Sequence, residues 1–279
     1  MTDALEVIAR SLRAGGVVPY LGPGVLSLND NALPASSLDL AARLTAKASV
    51  PHKIKNNLGA AAQFMETFKH RSAVTNAMAE AFAADAQPNA LHILLLSQLA
   101  LPLVVHTWYD GLPQKALRTR SNWGIAQGVS QAEHFGNWVR YYSADGVLTD
   151  VASAESSADF KTLLYQPLGS VWPARNFLVS DSDFVEVMTE IDIQSPIPEC
   201  VQKVRAGKSF LFLGCRFATQ MERTFAHQII KRSSDKHWAI LPEEPSRNEA
   251  RFLSEHNIER VPVTLSEFVE IFAQMNVVH

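Results

Sequence analysis

With 279 residues, 47% of them hydrophobic and 19% charged, the chain carries enough apolar material for one large domain or two small ones. Its formal charge of −3 argues against general affinity for nucleic acid or an anionic membrane, partners that recruit a basic field. Asp3 and Glu6 stand where a secretory signal would be basic, and the most membrane-like stretch, Leu91 to Val105, is interrupted by His92, Ser97, Gln98 and Pro102, so the expectation is a cytoplasmic chain with no membrane span.

Helix and strand signals then alternate along the chain. Thr2 can cap a helix whose Leu5, Ile8, Ala9 and Leu12 fall at helical spacing, with Gly15 and Gly16 ending it. Val17 to Leu21 reads as a buried strand running into the Gly22-Pro23-Gly24 turn. Ser36 and Ser37 precede a helix from Leu38 to Leu44, and the alanine-rich stretch from Asn57 to Ala86 continues helically, so residues 36–90 read as a helical insertion or cap. A buried helix and then an interior strand, Pro102 to Thr107, follow. Residues 112–160 read as an irregular insertion, with Trp138 to Tyr142 as a candidate edge strand and Ser153 to Asp159 as loop.

The last third is plainer: helix from Cys200 to Ala206, strand from Ser209 to Gly214, helix from Phe217 to Lys231, strand from His237 to Leu241, helix from Asn248 to His256, strand from Glu259 to Val263 and a closing helix from Ser266 to Met275. The sum is an α/β chain, a Rossmann-like doubly wound parallel sheet with a helical insertion, read as one domain over residues 1–279.

In such sheets ligands sit beyond the carboxyl ends of the strands. Three apolar strands here end in Gly22-Pro23-Gly24, Thr107-Trp108-Tyr109-Asp110 and Gly214-Cys215-Arg216. A glycine turn lets backbone N–H groups reach a phosphate, although taken alone it marks only a turn. Arg216 could grip a phosphate bidentately or form a surface ion pair. Cys200 and Cys215, the two cysteines, allow neither a disulfide framework nor a four-thiolate zinc site and read as small buried apolar side chains. No nucleophile elbow, paired histidines at zinc spacing or phosphate-loop lysine competes for the chemistry, no metal site is expected, and Glu243-Glu244 reads as a solvated loop.

In this order the segments resemble the bacterial sirtuin-like proteins, whose members bind NAD. Leu21-Gly22-Pro23-Gly24-Val25-Leu26-Ser27 is similar to that family's glycine-alanine-glycine turn, which meets the diphosphate; Thr107-Trp108-Tyr109-Asp110 resembles its threonine-asparagine-tyrosine-aspartate segment; Pro167-Leu168-Gly169-Ser170 resembles the segment carrying its histidine base. Phe177 to Phe184, with Asp181, resembles its apolar strand and acidic turn, and Phe210 to Phe217 its late nucleotide-contacting strand. The resemblance thus implies an NAD or ADP-ribose site formed by Gly22, Pro23, Gly24, Thr107, Asp110, Gly169, Ser170, Asp181, Gly214, Cys215 and Arg216.

It also implies that the chemistry has gone. The family's asparagine is Trp108 and its histidine is Leu168, so no catalytic residue is expected. A rescuing base would come from His106, His134, Asp110 or Asp181, each of which has a plainer reading: core histidine, loop histidine and two turn caps. Trp108, Tyr109, Trp123, Trp138 and Trp172 read mostly as packing residues, with Trp108 able to close the nicotinamide side of the cleft. Three readings stay open: a degenerate nucleotide-sensing or partner-binding module, an NAD glycohydrolase with a nonstandard base, and a structural subunit with an occluded cleft whose partner is another protein or a second copy.

Overall fold

The computed structural model describes residues 2–29, 32–46, 48–149, 160–190 and 197–277. Eleven strands are defined among them: β1 (Val17–Leu21), β2 (Leu103–His106), β3 (Trp123–Gly128), β4 (Val139–Ser143), β5 (Leu148–Thr149), β6 (Thr162–Gln166), β7 (Gly169–Ser170), β8 (Asn176–Phe177), β9 (Ser209–Leu213), β10 (His237–Ile240) and β11 (Ile258–Val261). The helices are α1 (Thr2–Arg13), α2 (Ser37–Ala46), α3 (Leu58–Lys69), α4 (Arg71–Ala81), α5 (Ala90–His92, continued by a wider turn to Gln98), α6 (Leu112–Leu117), α7 (Asp181–Glu190), α8 (Glu199–Arg205), α9 (Gln220–Ile230), α10 (Arg247–Glu255) and α11 (Leu265–Val277).

Nine strands form one sheet in the order β11-β10-β9-β1-β2-β6-β3-β4-β5, parallel except for the β3-β4-β5 hairpins. Alternation along the strands sorts their side chains into two cores. Val18, Tyr20, Val105, Tyr165, Phe210 and Phe212 lie on one face with apolar residues of α2, α3, α4, α9 and α10; Val17, Leu21, Val104, Leu164, Leu211 and Leu213 lie on the other with α1, α5 and α11. The apolar stripe of α1, Leu5, Ile8, Ala9 and Leu12, is buried there as its spacing requires, and the helix gives way at Gly15, whose φ is +66°.

Pro19 interrupts a central strand without breaking it. The Leu21 carbonyl accepts from Thr107 N–H, on the β2 side, so by alternation the donorless Pro19 nitrogen also faces β2, where pairing involves only Tyr20 and Leu21. The full ladder from Val17 to Leu21 is made with β9.

Three local expectations change. The helix expected from Asn57 to Ala86 is broken in two at His70, whose φ of 70° ends α3 and starts α4; no glycine or proline announces it. The irregular insertion contains a regular strand, β3, hidden by its glycines. A Cβ on Gly124 would come within 2.2 Å of the Phe160 ring, and one on Gly128 within 2.1 Å of the Pro167 carbonyl, so both glycines are close-approach positions in a strand rather than loop signals. The strand at Val139–Ser143 is flanked by β5 and is not the edge. The loop expected from Ser153 to Asp159 lies outside the described residues.

Candidate functional site

From β1 the chain passes to β2, β6 and their neighbours on one side, then returns to β9, β10 and β11 on the other, so the strand order reverses between β1 and β9. Register aligns the strand ends at that point. Leu213, Leu21 and His106 are partners across β9, β1 and β2, and Val105 pairs with Tyr165 of β6. One residue beyond that level come Gly214, Gly22, Thr107 and Pro167, and one further come Cys215, Pro23, Trp108 and Leu168. The segments singled out from the sequence therefore converge on one edge of the sheet.

What fills that edge is the chain itself. Gly22 N–H donates to Leu213 O at 2.9 Å, Gly24 N–H to Gly214 O at 2.9 Å and Val25 N–H to Gly22 O at 3.2 Å. Pro23 has no N–H, so every backbone donor from 22 to 25 is engaged internally. The glycines are needed for this interlock: a Cβ on Gly22 would lie 2.7 Å from Gly214 O, and one on Gly214, where φ is +64°, 2.3 Å from Val25 N. Cys215 is buried beside the bend, its thiol donating to Tyr20 O and Leu213 O, and burial pushes its pKa well up.

The β2 end is equally committed. Thr107 directs both its N–H (2.8 Å) and its hydroxyl (3.1 Å) at Leu21 O. Trp108 is 3% exposed, gives its indole N–H to Pro34 O at 2.8 Å and packs against Phe82 and Tyr109. Asp110 accepts from Leu112 N–H at 2.9 Å and pairs with His106 Nε2 at 3.1 Å, both residues being buried. Burial raises the Asp110 pKa, but the charge and hydrogen bond of His106, with His92 and the Leu112 amide, outweigh it and the net shift is downward. His106 is thus the core histidine of its plainer reading. His134, half-buried, takes a hydrogen bond from Arg140 at 2.9 Å.

Beyond β6, Leu168 is 9% exposed and its carbonyl accepts from Leu178 N–H. Gly169 holds a φ of +80° against Asn176, and the fully buried Ser170 donates to the Tyr109 and Asp110 carbonyls at 3.2 Å, tying this loop to the β2 end. A void of about 10 Å³ beside Tyr165, Pro167 and Leu178 has room for about one water.

Arg216 forms ion pairs. Its Nε and Nη2 grip Glu249 at 2.9 and 3.0 Å, and Nη1 meets Glu243. Glu249 also accepts from Ser246 and Phe217 N–H; these contacts outweigh the cost of its burial and hold its pKa down to about 2. Glu243 and Glu244 stay largely exposed while pairing with Arg216 and Arg260.

Asp181 opens α7 with its pKa raised by burial, but the carboxylate that organises this corner is Asp183. It accepts from Val179 and Ser180 N–H at 2.9 and 3.0 Å and from Ser130 Oγ at 2.6 Å, and it pairs with Arg71 of α4 at 2.8 Å. The sequence signal was present: Ser180 and Asp183 are spaced as a capping box, and the Ser180 hydroxyl accepts from Asp183 N–H in return.

A family model described as a SIR2-like domain matches residues 102–261, more than half of the chain. The chain belongs to that family. The match takes in the β2 end, Leu168 and the Gly214 segment, and begins after the Gly22 bend, which joins the site through its register with β9. SIR2-like domains generally bind NAD, and the α/β sheet found here is the framework such a module requires. No curated protein matches the chain. Among the described residues no group of three or more His, Cys, Asp or Glu is placed to hold a metal ion, and no helix is long and apolar enough to cross a membrane.

Proposed function

We propose that this chain is a catalytically degenerate SIR2-like domain that works as a regulatory module through protein contacts rather than by cleaving NAD. The observation that carries the proposal is the engagement of the Gly22–Val25 donors by the chain's own backbone at the strand switch point. A diphosphate held at a glycine bend needs N–H groups aimed outward, and here they are spent on Leu213, Gly214 and Gly22. The residues present therefore fit NAD or ADP-ribose poorly; either would have to part the bend from Gly214 and Cys215.

The side chains argue the same way. A general base is worth ~10²- to 10⁴-fold, and the residue at its position is a hydrocarbon. Trp108 offers one donor, given to Pro34, and no acceptor. The His106–Asp110 pair is no replacement: the ring is 2% exposed, with its nitrogens at Asp110 and Gln166. Exposed apolar side chains supply surface for a partner, a protein or a second copy of the chain. Phe68, its ring tilted against that of Phe64 at a centroid distance of 4.5 Å, is 68% exposed, and Phe135 is 93% exposed.

Calorimetric titration with NAD and with ADP-ribose tests the reading when nicotinamide is assayed in the same samples. The proposal expects no nicotinamide and no binding tighter than about 100 μM. Binding tighter than that without nicotinamide would make the module a nucleotide sensor, and nicotinamide release would replace the proposal with an NAD glycohydrolase using an unforeseen base.

A further inference from the structure

A cavity of about 310 Å³ lies between α9 and α10, and none of its lining residues comes from the Gly22, Thr107 or Gly214 segments. That volume is in the range of small-ligand sites. Arg223 and His227, four residues apart, present one stripe of α9; Arg251, Phe252 and Glu255, with His256 at the helix end, present the facing stripe of α10. On a chain whose net charge is −3, this groove sets two guanidiniums against one carboxylate. The His227 and His256 ring centroids lie 4.4 Å apart with the planes tilted by 32°, and Phe252 meets His256 edge-on at 4.6 Å, so the groove also has an aromatic wall.

We propose that this groove is a binding site for a phosphate-bearing ligand. The inference is independent of the reading above, because it uses none of the residues at the strand ends. Arg223 reaches the carbonyls of Phe217 and Ala218 through Nη1, which fixes its stem and orients the planar fork. Arg251 pairs with Glu255 through Nε at 2.7 Å, with its side chain 77% exposed, and an incoming phosphate can exchange for that weak surface partner. Burial and the adjacent His227 hold the pKa of His256 below its ordinary value, so the charge that attracts an anion near neutral pH belongs to the two arginines. The imidazoles and Phe252 add ring surface and hydrogen-bonding capacity.

The test is calorimetric titration of the full chain, in phosphate-free buffer, with pyrophosphate and separately with AMP, repeated on Arg251→Gln and His256→Asn. Binding in the millimolar range is expected, weakened about fivefold or more by Arg251→Gln. Tighter binding of AMP than of pyrophosphate would assign a ring-bearing ligand stacked on the aromatic wall; the opposite order would assign the inorganic anion, and either supports the site. Absence of binding by both probes up to about 10 mM, or affinities unchanged in both variants, would overturn it.

Discussion

Arg216→Ala separates two accounts of the late strand end. Were Arg216 a phosphate ligand, its loss would weaken ADP-ribose binding and spare the fold. In the structure the same side chain neutralises Glu249, which is 1% exposed on its carboxylate side. Holding a glutamate at about 2 instead of its ordinary 4.5 is worth up to about 3 kcal/mol. Arg216 is 41% exposed, and the Ser246 and Phe217 amides contribute too, so after solvent screening its share is about 1.5 to 2 kcal/mol. The pH dependence carries the sign. A carboxylate with a depressed folded pKa contributes stability that is complete above the unfolded value and is lost as pH falls toward about 2. Denaturant unfolding at pH 7 should therefore show Arg216→Ala less stable by about 1.5 to 2 kcal/mol, with the gap to wild type closing between pH 4.5 and about 2. An unchanged midpoint, together with a loss of ADP-ribose affinity that wild type possesses, would refute the ion-pair argument.

Gly214→Ala should cost about 2 to 4 kcal/mol in the same assay, since it adds a left-handed backbone penalty to a Cβ placed 2.3 Å from Val25 N. His92, buried with its pKa lowered to about 4, is neutral in the fold and protonated in the unfolded chain below 6.5, so stability should fall as pH drops from 6.5 to about 4, by up to about 3 kcal/mol from this residue. His92→Gln should flatten that part of the profile. Asp183→Ala leaves the Val179 and Ser180 amides, the Ser130 hydroxyl and the Arg71 guanidinium without their common acceptor and should cost about 3 to 5 kcal/mol, read as a drop in thermal midpoint.

Strands buried on both faces were legible because they read as unbroken apolar runs: Val17 to Leu21, Leu103 to His106 and Ser209 to Leu213 all lie where the sequence put them. The convergence of Gly22, Thr107, Leu168 and Gly214 on one edge follows from parallel register, which is why strand-end motifs could be grouped before the fold was known. Less legible was what those residues do there. A glycine bend reads the same whether its amides face a ligand or a neighbouring strand, and only the contact with Gly214 distinguishes the two. Arg216 was likewise ambiguous, because its partner Glu249 is 33 residues away and is brought to it by the β10 crossover. Strand β3 was missed because Gly124 and Gly128 answer to Phe160 and Pro167, distant in sequence. The α3–α4 break at His70 carries no local signal at all; its neighbour Arg71 is held by Asp183 and Phe177 O across the fold.

The proposal that this domain does not cleave NAD rests on a crevice closed by its own backbone, with Leu168 where the resemblance implies the base. Incubating the purified full chain with NAD and following nicotinamide over hours measures this directly. The account predicts release no faster than in a protein-free control; sustained release that scales with protein concentration would contradict it.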